Sequence, residues 1–132
     1  MTMIKRQDVD FFSNSKFVTE LTPKDFDEHE TWKLSKKKCC IILFYCAWCP
    51  HCVSTKEVWE NLGKMATFFE VYSFNCEKYK RHVDKIKVDS PQLIKGYPTI
   101  AIYERGEPVE VYKGNRDVKS LVSACMRACK NQ

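Results

Sequence analysis

Tyr45-Cys46-Ala47-Trp48-Cys49-Pro50-His51-Cys52, entered through the apolar run Cys39-Cys40-Ile41-Ile42-Leu43-Phe44, is the stretch on which the fold turns. The run is short, continuous and rich in β-branched and aromatic residues, the composition of a strand buried on both faces of a sheet. Beyond Cys52 the residues become helix-tolerant, with Val58, Leu62 and Met65 at helical spacing. A C-x-x-C pair therefore sits where a buried strand gives way to a helix.

That position favours one chemistry. A helix N-terminus presents unpaired N–H groups and partial positive charge, and so stabilises the thiolate, the reactive form of cysteine. Cys49 is expected there as the nucleophile. Pro50 suits the first turn, where its missing N–H costs nothing. Cys52 lies one turn on, within reach of Cys49 for a disulfide. His51, polar and expected to be exposed, adds a donor or a positive charge beside the sulfur. A stabilised thiolate makes the disulfide form more oxidising.

Trp48-Cys49-Pro50-His51-Cys52 resembles the active site of the thioredoxin superfamily, and distant stretches agree with it in order. Lys16 to Phe26 resembles the opening strand and helix of a protein disulfide isomerase domain. Gly96-Tyr97-Pro98-Thr99-Ile100 resembles that family's cis-proline loop, and Tyr112-Lys113-Gly114-Asn115-Arg116 its lead into the last helix. The resemblance implies an α/β thioredoxin fold, a central mixed β-sheet flanked by helices on both faces. It also implies roles for the loop: Pro98 packs beside the two sulfurs, the backbone of Tyr97 pairs with a substrate chain, and Trp48 offers partners an apolar contact. For Pro98 the competing reading is a plain trans proline opening a strand, and for Trp48 a core aromatic.

Two departures from the family pattern bear on rate. Leu43 stands where the family usually keeps a buried carboxylate that moves protons to and from the second cysteine. Leucine cannot do this, which leaves water, Glu57 or Glu60. Glu57 replaces a helix-kinking proline, so a straighter helix is expected.

At 132 residues, 44% apolar and 30% charged, the chain suits one globular domain, divided here into an N-terminal extension over 1–15 and a thioredoxin-like domain over 16–132. The extension is either a cap on the sheet or a mobile arm. No run approaches a membrane span, and the start lacks a secretory signal, which gives an intracellular, cytoplasmic expectation. Twenty-two basic residues against 17 acidic ones leave a modest +5, with Lys36-Lys37-Lys38 the only tight basic run. Nucleic-acid binding is not expected, because the remaining basic residues are dispersed.

Eight cysteines are many for this length, yet their placement argues against a disulfide scaffold. Cys39, Cys40 and Cys46 read as small buried hydrophobes. Cys125 and Cys129 join Val118, Leu121 and Val122 on one helical stripe and read as core, too far apart on the helix for a bond with each other. Cys76, after the strand Val71 to Asn75, is either a second redox site or a strand-end residue. Cys129 to Gln132 has the cysteine position of a prenylation box but not its aliphatic residues, and is taken as accidental.

The remaining elements follow in order. A first strand is predicted over Phe17 to Leu21, and a helix from Thr22-Pro23 through Lys24 to Leu34 with Phe26 and Trp32 as anchors. The active-site helix should run to about Thr67, with Gly63 weakening its far end, and a parallel strand should cover Phe68 to Phe74. A basic loop and then a short helix near Ser90-Pro91 are expected before a hairpin of Thr99 to Tyr103 and Val109 to Lys113. Asp117 should cap the last helix.

The functional expectation is a thiol–disulfide oxidoreductase acting on protein thiols and disulfides, oxidising or isomerising in lean, monomeric, without cofactor or metal, and reset by an unidentified redox partner. Two other classes stay open: a zinc or iron–sulfur site using Cys49, Cys52 and Cys46, and a redox-inactive binding module.

Overall fold

A computed structural model describes residues 9–129. Residues 1–8 of the N-terminal extension and the last three residues of the prenylation-like terminus lie outside them. The apolar run becomes β4 (Cys40–Tyr45), buried along its whole length. It lies between β5 (Glu70–Asn75), parallel to it, and β6 (Thr99–Glu104), antiparallel. β1 (Thr19–Glu20) adds to the far side of β5 and β7 (Glu107–Val111) to β6, giving the order β1-β5-β4-β6-β7. Helices α1 (Pro50–Met65), α2 (Lys80–Asp89) and α3 (Val118–Ala128) flank this mixed sheet, as the fold class anticipates.

α1 carries Trp59 and Leu62 into the core, and the Trp59 indole N–H donates to the Tyr72 carbonyl at 2.9 Å. Gly63 does not break the helix. A Cβ there would stand 2.5 Å from the Phe17 carbonyl oxygen, so glycine admits the neighbouring backbone. In the β6–β7 turn, Gly106 takes φ +85°. α3 is capped by Asp117, whose carboxylate accepts from the Ser120 N–H at 2.9 Å.

Three expectations fail. The helix over Lys24 to Leu34 does not form: a 3-10 turn (Pro23–Asp25) is followed by β2 (Phe26–Asp27), a second 3-10 turn (Glu28–Glu30) and β3 (Lys33–Leu34), paired as a small antiparallel sheet. Phe26 and Trp32 are six residues apart and would point to different sides of a helix. The hairpin, with Thr31 and Trp32 at positive φ, buries Phe26, Trp32 and Leu34 together. Side chains also satisfy the backbone locally, since Asp25 accepts from the Thr22 N–H and Asp27 from the His29 N–H.

The second failure is the basic loop followed by a short helix near Ser90-Pro91. Lys80 to Asp89 is helical instead, with Val83 and Ile86 turned into the core, and the segment from Ser90 onward, with Pro91, is turn rather than helix. The third concerns Cys39 and Cys129, read as separate buried hydrophobes. They form a disulfide with a Cα–Cα separation of 6.0 Å, tying the end of α3 to the entrance of β4. The bond spans 90 residues, a pairing that spacing along one helix could not reveal.

Asp10 to Ser15 cap one end of the sheet. Phe11 stacks on Tyr45 with centroids 4.2 Å apart, and Ser15 donates to the Glu60 carboxylate. The Tyr45 hydroxyl donates to Glu20 at 2.6 Å, and the Phe12 N–H donates to the same carboxylate. Burial, reinforced by the nearby Asp10 charge, still raises the Glu20 pKa above the ordinary carboxylate range.

Replacing Cys39 and Cys129 together by alanine should cost about 2–5 kcal/mol in chemical denaturation. Because folded Glu20 holds its proton to higher pH than the unfolded chain, its contribution falls as pH rises through the raised value. The stability of the parent relative to Glu20→Gln should therefore decline as pH rises above the ordinary glutamate value of about 4.3 in parallel denaturation series.

Candidate active site

β4 ends at Tyr45, and the chain turns through Cys46 to Cys49, whose N–H donates to the Cys46 carbonyl at 3.2 Å. Cys49 is the N-cap residue of α1 with extended backbone, and Pro50 occupies the first helical position. The Cys49 carbonyl accepts from the Val53 N–H at 3.0 Å, which opens the helical ladder. The Cys49 thiol is thus held at the positive end of a 16-residue helix.

Against it stands the loop before β6. The Tyr97–Pro98 peptide bond is cis, and the Cys49 thiol donates to the Tyr97 carbonyl at 3.5 Å. Only a cis X-Pro bond is cheap enough to be common in such a turn. Cys49 is 6% exposed and Cys52 fully buried beneath it. The two thiols lie close enough to act on one another. Burial pushes the Cys52 thiol up to about 12, with the neighbouring sulfurs of Cys49 and Cys46 adding to the rise and a backbone hydrogen bond from Cys46 opposing it.

Trp48 is 56% exposed, too open for a core aromatic, and Tyr97 and Pro98 are half-buried beside the sulfurs. Pro50 and His51 are exposed on the first turn, where the His51 carbonyl accepts from Ser54 and Thr55. The structure therefore gathers Trp48, Cys49, Pro50, His51, Cys52, Tyr97 and Pro98 around one sulfur. Neither carboxylate named as a substitute for the residue at Leu43 is spare: Glu60 is held by Ser15, and Glu57 is exposed on α1. Leu43 itself is fully buried.

Residues 17–127 match the family model described as Thioredoxin. The chain belongs to the thioredoxin family. It is 33% identical over 108 residues to protein disulfide-isomerase 5-1 of Arabidopsis thaliana, a match covering 79% of this chain and 67% of that protein. It is likewise 33% identical over 108 residues to the protein disulfide-isomerase of Humicola insolens, covering 80% of this chain but only 20% of the relative. Among solved structures, the J-Trx1 fragment of ERdj5 superposes with a TM-score of 0.70 at 21% identity, covering 89% of this chain and 54% of that one, a likeness of fold.

Sequence reasoning missed one feature of this thioredoxin-family site. The Tyr97 side chain lies near enough to the thiols of Cys46 and Cys76 to influence both, and the Lys87 ammonium lies over the Tyr97 ring, 5.4 Å from its centroid. The strand register carried the signal, since Cys46 and Cys76 directly follow the last paired residues of β4 and β5.

The two active-site thiols should differ sharply towards an alkylating reagent. With the reduced chain at pH 7–8, iodoacetamide should modify Cys52 at least about tenfold more slowly than Cys49, and Cys52 labelling should accelerate as pH approaches its raised value. Peptide mapping over time checks both.

Proposed function

We propose that the chain exchanges disulfides with protein substrates through Cys49 and Cys52, with an oxidising or isomerising lean. Its class, thiol–disulfide oxidoreductase, follows from family membership. The observation that carries the assignment to these residues is the Cys49 thiol at the helix N-terminus against the Tyr97 carbonyl, with the buried Cys52 one helical turn on. In the oxidising direction a substrate thiolate attacks Cys49 Sγ of the disulfide and Cys52 leaves as thiolate. A second substrate thiol then attacks the substrate sulfur of the mixed disulfide, releasing Cys49. In the reducing direction Cys49 attacks a substrate disulfide and Cys52 resolves the intermediate.

The remaining residues take supporting roles. Trp48 and the Tyr97-Pro98 backbone receive the substrate chain, Pro50 fixes the first turn, and His51 lends a donor to the departing or attacking sulfur. With Leu43 fully buried where a carboxylate would serve, Cys52 loses and gains its proton through water, which slows the step that needs its thiolate. A partner dithiol or disulfide resets the pair.

The intact Cys49–Cys52 pair, bordered by the exposed Trp48, Pro50 and His51, favours catalysis over a passive binding module. Among the described residues no cluster of three His, Cys, Asp or Glu side chains is arranged to hold a metal ion, which disfavours the thiolate-metal reading. Among the same residues no helix is long and apolar enough to cross a membrane. The Cys39–Cys129 disulfide supports work in an oxidising compartment rather than the cytoplasm.

Cys49→Ser should lower insulin reduction by on the order of a hundredfold or more. Equal turnover would move the nucleophile elsewhere. Cys52→Ala should accumulate mixed disulfides with protein substrates, visible as reductant-sensitive adducts on non-reducing gels.

A further inference from the structure

Behind the Cys49–Cys52 pair lie two more thiols that the exchange mechanism does not use. β4 and β5 are parallel and in register to Tyr45 and Asn75, and the Cys76 N–H continues the ladder by donating to the Tyr45 carbonyl at 2.8 Å. Cys46 and Cys76 are the next residues on each strand, so they stand opposite one another. Neighbouring strands run about 4.8 Å apart, within the Cα separation of about 4.4–6.8 Å that a disulfide bridges. Both are buried, 4% and 2% exposed, and both are free thiols. The Tyr97 side chain lies near enough to both thiols to act on each, and the parallel register places the two on the same side of the sheet.

The pair also adjoins the active site. The Cys46 sulfur acts electrostatically on Cys49 and Cys52, and the Cys76 sulfur on Cys52. The charged groups nearest are Glu77, which acts on Cys46, and Lys87, which acts on both. Burial keeps both thiols protonated and shut off from external partners, leaving Cys52 as their neighbour in exchange.

We propose that Cys46 and Cys76 form a second, internal dithiol that accepts oxidation from the Cys49–Cys52 disulfide and stores it as a cross-strand bond. The proposal rests on the redox role of Cys49 and Cys52. Cys46, deprotonated, attacks Cys52 Sγ, the Cys49–Cys52 bond breaks, and Cys49 leaves as thiolate and takes up a proton. Cys76, losing its proton, then attacks Cys46 Sγ, and Cys52 leaves and is protonated. One disulfide is reduced, one is formed, and an electron pair passes from the inner pair to the outer. The domain thereby holds a second oxidising equivalent beneath its substrate face, and the Tyr97 side chain lies near the inner pair while its carbonyl meets the outer one.

The full chain, reduced and then equilibrated in glutathione buffers of rising oxidation, is acid-quenched, denatured, alkylated and mapped. A linked peptide joining Cys76 to Cys46, assigned by fragmentation, is expected alongside Cys49–Cys52, and Cys46→Ala or Cys76→Ala should each remove it and halve the number of electrons these positions release on oxidation. Cys76→Ala should retain insulin reduction. In Cys49→Ser/Cys52→Ser, oxidised glutathione should close the inner pair at least about tenfold more slowly than in the parent. Closure at the parental rate overturns the transfer. Cys76 still fully alkylated when Cys49–Cys52 has closed, or bonded to another cysteine, overturns the inner pair while leaving the proposed function standing. Failure of Cys49 and Cys52 to bond at all sinks both.

Discussion

The site depends on a single constraint: β4 must be buried on both faces and both edges, yet end in a turn that delivers a sulfur to the surface. Its six residues are held by β5 on one edge and β6 on the other, which fixes where Tyr45 stops. From that fixed point, three turn residues carry the chain to the N-cap of α1. The cis Tyr97–Pro98 bond, immediately before β6, is brought against the same point because β6 pairs with β4. Two loops distant in sequence meet at Cys49 because their strands are neighbours in the sheet.

Burial then separates the roles of chemically identical groups. Cys49 sits at a helix end beside a carbonyl and near the surface, whereas Cys52, three residues on, is enclosed and its thiol pushed up to about 12. Cys40 and Cys125 are likewise pushed up to about 12 by burial, and each lies well inside the core. Cys39 and Cys129 are bonded and fasten the C-terminal helix to the strand that carries the site. The high cysteine content is thus not a disulfide scaffold: among the described residues Cys39 and Cys129 are bonded, while Cys40, Cys46, Cys49, Cys52, Cys76 and Cys125 are buried free thiols in different surroundings.

The sequence made some elements plain for physical reasons. The run Cys39 to Phe44 is apolar without alternation, and its short length and β-branched and aromatic content suit a strand buried on both faces. Asp117 before Val118, with Leu121 and Cys125 a helical turn apart, announces α3 and its cap. Around Phe26, Trp32 and Leu34 the sequence misled, since a hydroxyl followed by proline opens a 3-10 turn as readily as a longer helix. Which one forms depends on where the next apolar residues must point. Lys80 to Asp89 misled the other way: its charge density hid the two inward positions, Val83 and Ile86, that make it a helix.

Local pattern and order along the chain determined the family, the strand-to-helix junction and the pair Cys49–Cys52, because each rests on residues close in sequence. Tertiary structure alone decided that Cys39 meets Cys129, that Tyr97 comes near Cys46 and Cys76 while its carbonyl faces Cys49, and that Asp10 to Ser15 fold back over Tyr45. Those contacts join segments tens of residues apart. They arise from strand register and from the need to enclose apolar surface, neither of which any short window of sequence records.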